Sequence, residues 1–384
     1  MTHKLAVIIL AVVLAVGLTA QAWASPAEVI NNFAFSAAKI LGNNGGSWFF
    51  SPFSIISAFG MAYAGASGKT AQEMEQALGF TPELHGELGN FVQDVTGSGS
   101  ISSANRVWLN TGLTLRKEYQ DDLYLYYRSR AEVLNITDEP EESRKVINDW
   151  VSGKTNGKIQ DLLQKLDPTT RMIITNAVYF NAEWMYKFDK EATSPEKFTD
   201  GEKVSEVPMM KINRNYSYGE FDGVKVIQLP YKERRLSMVA VLPPEDKPDA
   251  LSGLDAETLT QWLGKLKTYK VDLWLPKFKT EKRYQLADMF KALGVRQAFT
   301  DAADFSGITE SEQLKIDAVI HQTFIEVDEE KTEAAAATAI TMVRATAMPP
   351  ALTPRAEFHA DRPFTYFIVD NVTGTILFMG RQTF

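Results

Sequence analysis

Three histidines follow the first 25 residues, His85, His321 and His359, and any histidine-dependent chemistry must use one of them. A serine hydrolase needs such a histidine beside a nucleophilic serine and an orienting acid. His85 lies in a polar, glycine-flanked loop-like stretch, His321 in the middle of a strand-like run, and His359 after a proline-rich loop. In that run His321 reads as a hydrogen-bonded core histidine. The sequence has no GxSxG, no HExxH, no P-loop and no GxGxxG following a strand. Cysteine is absent, which removes thiol nucleophiles and Cys-based metal sites together. Asp328, Glu329 and Glu330 are consecutive acids. On extended backbone they would point to alternating faces, so a solvated charge run is expected there rather than a cation site. The expectation is a protein that is no enzyme and uses no cofactor and no metal.

The elements that would carry these residues change character along the chain. "PAEVINNFAFSAAKIL" and "IISAFGMAYAGASGKTAQEMEQAL" have helical patterning, the second preceded by Ser51 and Pro52 as N-cap and first helical residue. "PEESRKVINDWVSGKT" places Val146, Ile147, Trp150 and Val151 at helical spacing. From Met172 the pattern becomes strand-like, in "MIITNAVYF", "VKVIQLPY", "LSMVAVLP", "KVDLWLPKFK", "KIDAVIHQTFIEV", "FTYFIVD" and "GTILFMGR". One helix, "QLADMFKALG", interrupts these strands and ends at Gly294. Helices first and strands afterwards predict an α+β fold.

The chain has 384 residues, 45% hydrophobic and 23% charged, with net charge −8. That length alone favours two domains. The acidic balance, with no basic run, excludes a nucleic-acid partner. Residues 71–96 contain no Lys or Arg, so no heparin-type polyanion is expected to bind there. The leader "MTHKLAVIILAVVLAVGLTAQAWAS" begins with Lys4, continues apolar from Leu5 to Ala20 and offers Ala22-Trp23-Ala24 as a small-x-small cleavage site. Residues 1–24 are read as a signal peptide cleaved after Ala24, with a retained anchor as the alternative. Secretion to an extracellular or periplasmic space follows, without disulfides.

One segment suits neither a core helix nor an ordinary loop. "EEKTEAAAATAITMVRATAMPP", Glu329 to Pro350, begins with good helix formers but has no large apolar stripe to dock. "FIEVDEEKTEAAAATA" resembles the hinge of the serpins. Other segments resemble further signatures of that family, in its order: "SPFSIISAFGMAYAGASGKTAQEM", "INDWVSGKTNGKIQDLL", "TNAVYFNAEWMYKF", "LPYKERRLSMVAVLP", "LPKFK", "LGVRQAFTDAADFSGI" and "DRPFTYFIVDNVTGTILFMGR". The resemblance implies one large domain over 25–384, with about nine helices, three β-sheets and an exposed reactive-centre loop within about 329–360.

The function implied is a serine protease inhibitor whose cleaved loop enters the central sheet as a new strand, a case of β-strand addition. The segment can be tested against the period of a strand. Thr332, Ala334, Ala336, Thr338, Ile340 and Met342 form one set, all small or apolar. Lys331, Glu333, Ala335, Ala337, Ala339 and Thr341 form the other, which holds both charges and can face solvent. The resemblance assigns Glu329, Glu330, Lys331, Thr332, Glu333, Ala334, Ala335, Ala336, Ala337 and Thr338 to the hinge. It assigns Ser51, Ser54, Asn176 and His321 to a buried cluster under the opening sheet, and Trp184 to the first insertion point. Family spacing puts the scissile bond at Ala345–Thr346, suiting elastase-like or subtilisin-like enzymes; one residue earlier, Arg344–Ala345 would suit a trypsin-like enzyme. Cysteine proteases are a further possible target class, and the chain is expected to be a monomer. Lys331 stands where family inhibitors usually have glycine. The rival reading is a non-inhibitory serpin acting as a substrate, carrier or chaperone.

Overall fold

The computed structural model describes residues 24–42, 45–97, 99–330 and 353–384. The leader before Ala24, the hinge from Lys331 to Thr338 and the bait residues Arg344, Ala345 and Thr346 lie outside them. Glu329 and Glu330 lie within.

The amino-terminal part is mainly helical. α1 (Pro26–Leu41) is opened by a capping box in which Ser25 and Glu28 satisfy each other's backbone N–H groups. It is followed by β1 (Trp48–Phe50), α2 (Pro52–Tyr63), α3 (Gly68–Leu78) and α4 (Leu84–Thr96). The single helical run expected from Ile55 to Leu78 is two helices, broken between Tyr63 and Gly68. α2 is buried along its whole length, and Ser51 Oγ accepts the Ser54 N–H as its N-cap. β2 (Ile101–Asn110), α5 (Lys117–Tyr127), β3 (Ala131–Leu134), α6 (Pro140–Lys154) and β4 (Met172–Phe180) follow.

The remainder is mostly strands: β5 (Ser194–Asp200), β6 (Lys203–Phe221), β7 (Val224–Pro230) and β8 (Leu236–Leu242). α7 (Ala256–Lys265) precedes β9 (Lys267–Pro276), β10 (Phe278–Gln285), α8 (Ala287–Leu293) and β11 (Ala318–Val327). β12 (Arg355–His359), β13 (Phe364–Asp370) and β14 (Ile376–Gln382) close the chain. Two α-helices, not one, therefore interrupt the strands; α7 is capped by Asp255, whose side chain accepts the Thr258 N–H.

Eight α-helices and two hydrogen-bonded sheets are present among the described residues, and the fold is α+β. One sheet has the order β10-β11-β4-β2-β3. The other runs β1-β14-β13-β8-β7-β6-β9-β12, with β5 also on β6. β6 is 19 residues long and pairs with β5 along its first part, with β9 from Met209 to Tyr218 and with β7 at its end. It thereby joins, by continuous hydrogen bonding, what the family expectation counts as two of three sheets.

The five-stranded sheet is covered on both faces. Met172, Ile174, Val178 and Phe180 of β4 face the main core with α2. Ile173, Ala177 and Tyr179 join Trp108, Ile147, Val151, Ile320 and Phe324 in a second cluster under α6. Every residue of β4 is buried, which explains its nearly unbroken apolar sequence. Two residues are polar: Thr175 accepts the Trp108 indole N–H, and Asn176 points into the α2 side of the sheet.

Candidate functional site

β4 and β11 are parallel neighbours in the middle of this sheet, paired from Ile173–Ala318 to Tyr179–Phe324. β4 ends at Phe180, whereas β11 continues to Val327, so the two strands part beyond the last pair. That open end is where the chain leaves β11 toward Lys331.

The pairing sets His321 against Asn176, both on the α2 side. His321 is fully buried; its Nε2 accepts the Ser51 backbone N–H at 3.1 Å, so Nδ1 carries the proton and donates to Asn176 Oδ1. Asn176 Nδ2 donates to the Ser54 carbonyl at 2.9 Å and to Ser54 Oγ and Asn105 Oδ1. Ser51 Oγ donates to the Leu377 carbonyl at 2.6 Å. Ser51, Ser54, Asn176 and His321 are thus brought into one cluster. Buried polar groups are tolerable because the network is closed. It resembles a Ser-His-Asn triad in composition but has no base for the Ser51 hydroxyl, since the imidazole lone pair is held by a backbone N–H.

Sequence reasoning missed Asn105, whose signal was hidden in the polar run "ISSANR" of β2. It also missed Tyr284, which stacks on His321 with ring centroids 6.2 Å apart.

His85 is not in a loop. It sits on α4, partly buried, stacked on Tyr63 at 5.1 Å, with Nδ1 2.7 Å from the Tyr127 hydroxyl. Burial pushes His85 down to about 4. Burial also pushes His321 down, to about 3. Both histidines are neutral in the fold and would protonate first in the unfolded chain, near pH 6.5. Stability is therefore unaffected above that pH and falls as pH drops from 6.5 toward the folded values. At pH 5 each histidine is expected to cost about 2 kcal/mol, at about 1.4 kcal/mol per pH unit. The window lies above the ordinary carboxylate range. His85→Phe should lose about half as much stability between pH 7 and 5 as the parent, read from thermal midpoints; equal losses would refute the assignment.

The departure point of the loop is anchored rather than solvated. Glu329 is 4% exposed, against the solvated charge run expected for Asp328 to Glu330. Its carboxylate accepts from Lys277 Nζ at 2.7 Å and from Thr193 Oγ1 at 2.8 Å. Burial pushes the Glu329 carboxyl up, but these two donors outweigh burial and hold it below its ordinary value. The Glu329 carbonyl accepts the Phe188 N–H at 3.0 Å. Glu330 pairs with Lys190 at 2.9 Å. Trp184 is both core and contact: it stacks on Tyr231 at 4.6 Å while its Nε1 donates to the Asp328 carbonyl at 2.9 Å. Lys277→Ala would strand the Glu329 carboxylate, and a loss of about 1–3 kcal/mol is expected. A thermal midpoint within a degree of the parent would show the pair contributes nothing.

A cleft of about 460 Å³ opens at this end, lined by Asn156, Lys158, Tyr179, Lys277 and Glu326 among others. Tyr179 and Phe324, the last pair across the two strands, meet edge to face at 5.5 Å. The Lys158 ammonium stands 5.6 Å over the Phe324 ring and 5.9 Å over the Tyr179 ring. His359 lies elsewhere, on β12, with Nε2 3.0 Å from Glu196 Oε2.

Residues 28–383 match the family profile described as serpin (serine protease inhibitor). An uncharacterized serpin-like protein of Thermococcus kodakarensis is 40% identical over 363 residues, covering 92% of this chain and 84% of that protein. Human serpin B8 is 37% identical over 371 residues, covering 92% and 98%. The crystal structure of uncleaved ovalbumin superposes with a TM-score of 0.83 at 27% identity, covering 93% of this chain and 99% of that one. The chain belongs to the serpin family.

Proposed function

We propose that this serpin is a secreted inhibitor of serine endopeptidases that acts as a suicide substrate. The target's serine oxygen attacks the carbonyl carbon of the bait residue, Ala345 or Arg344, and the peptide C–N bond breaks. The new amine leaves with the proton relayed by the protease, and an acyl ester joins the two proteins. The freed segment from Lys331 onward then enters between β4 and β11, carrying the protease with it before deacylation.

The observation that carries this reading is the parallel β4–β11 pair, open beyond Phe324–Tyr179, with the loop departing from that open end. A strand returning from Glu330 runs antiparallel to both neighbours. It replaces one slanted parallel ladder with two antiparallel ones, which are slightly more stable per residue. The alternation of Thr332, Ala334, Ala336 and Thr338 supports it, because this set buries no charge. Trypsin, elastase and subtilisin, each mixed with the protein, should show which gives an SDS-stable complex. Cleavage by all three without any complex would overturn inhibition.

Lys331 favours a second reading, a serpin that is cut as a substrate. Glycine would ease the backbone rearrangement that begins insertion. Lys331 belongs to the outward set, so insertion is slowed rather than blocked. Lys331→Gly should shift the products several-fold from cleaved serpin toward complex; an unchanged ratio would remove Lys331 from the rate-limiting step.

Export rests on the leader alone. Cleavage after Ala24 would begin the mature protein, a single domain acting as a monomer, at Ser25, the residue that caps α1. Mass spectrometry of the amino terminus of protein recovered from the medium tests this; a retained leader contradicts it.

A further inference from the structure

A second cleft shares no lining residue with the one at the loop's departure point. It has a volume of about 490 Å³, within the range of small-molecule sites, and sits between the end of α1, the segment after β8 and the start of β13. Its floor is apolar: Phe35, Leu254, Phe364 and Met379 are each at least nine-tenths buried. Its polar groups are mainly donors. Trp48 lines the cleft at 8% exposure, and its Nε1–H finds no acceptor among the described residues. The indole edge lies against Gly42, where any side chain would collide with Nε1 at 2.9 Å and with the Ala38 carbonyl at 2.8 Å. Thr365, also 8% exposed, contributes a hydroxyl without a partner among the described residues. Lys39 and Arg381 bring two cations to the lining, and Asp249 is the one carboxylate. Arg381 spends one N–H on the Gly46 carbonyl at 3.2 Å, and Lys39 makes no ion pair among the described residues.

An apolar floor, a solvent-accessible indole N–H without an acceptor among the described residues and an excess of cations together select an occupant that is apolar at one end and anionic at the other. The geometry points to a small-molecule site for an amphipathic carboxylate, such as a medium-chain fatty acid or an arylalkanoate. The hydrocarbon lies over Phe35 and Met379, and the carboxylate accepts from Trp48 and is balanced by Lys39 and Arg381. Neither the five-stranded sheet nor the loop contributes to this site, so it is independent of inhibition.

The test uses the full folded protein with 8-anilinonaphthalene-1-sulfonate as a fluorescent probe and sodium decanoate as competitor. The parent should enhance probe fluorescence, and decanoate should displace the probe at concentrations at least tenfold below those needed with decanol. Ala38→Phe fills the cleft from the helix side, and Ser252→Trp covers it from an exposed loop position that tolerates substitution. Either should reduce probe binding about tenfold, and Lys39→Glu with Arg381→Glu should raise the decanoate concentration required by about tenfold. Probe binding unchanged in Ser252→Trp would overturn the location. Decanol competing as well as decanoate would overturn the anionic assignment, and no enhancement by the parent would overturn the site altogether.

Discussion

Nicking the protein once within residues 331–352 is expected to raise its thermal midpoint by about 20 °C or more. The estimate follows from what the freed segment gains. A strand entering between β4 and β11 forms about a dozen new ladder hydrogen bonds, at roughly 1 kcal/mol net each. That sum rivals the whole stability of an ordinary domain, about 5–15 kcal/mol. A chain of this size gains about 2 °C per kcal/mol. The uncut protein must then be held in its state kinetically rather than by equilibrium. The Asn176–His321 contact and the Tyr179–Phe324 ring contact both join β4 to β11, which insertion must move apart. A cut protein that melts with the uncut one would contradict insertion.

The second large effect separates two adjacent residues. Ala336→Arg is expected to abolish complex formation while leaving cleavage intact, because insertion would turn the small, uncharged set that includes position 336 toward α2. An arginine on that side would bury an unpaired charge beneath the sheet, at a cost of several kcal/mol. Ala335→Arg puts the same charge on the outward set and should retain complex formation. Gel electrophoresis after incubation with the responsive protease reads both outcomes. Equal behaviour of the two variants would show that the segment does not enter the sheet as a strand.

How far the sequence could be read varied with how local each signal is. α1 and β13 lie where their patterns placed them, since a capped amphipathic helix and an unbroken β-branched and aromatic run are complete signals in themselves. β2 was missed because Ser103 and Asn105 interrupt its alternation to face the polar cluster under the sheet. β6 was missed because its buried face changes at Met209–Met210, where its partner passes from β5 to β9, so no single period runs through it. The loop expected around His85 was inferred from nearby glycines. Gly89 is instead a packing device, with a Cβ there only 2.3 Å from the Tyr126 carbonyl oxygen. Glu329 is the clearest case of a non-local effect. Its charge run reads as solvated until the fold brings Lys277 and Thr193 to its carboxylate. The four cluster residues Ser51, Ser54, Asn176 and His321 were legible only through family resemblance, since α2, β4 and β11 supply them from distant parts of the chain.

A crystal structure of the protein cut once within residues 331–352 would decide the mechanism most directly. Insertion predicts that the pairs from Ile173–Ala318 to Tyr179–Phe324 are gone and that the residues after Glu330 lie between the two strands, with Thr332, Ala334 and Ala336 toward α2. A cut chain in which β4 and β11 remain paired from Ile173 to Tyr179 would contradict it.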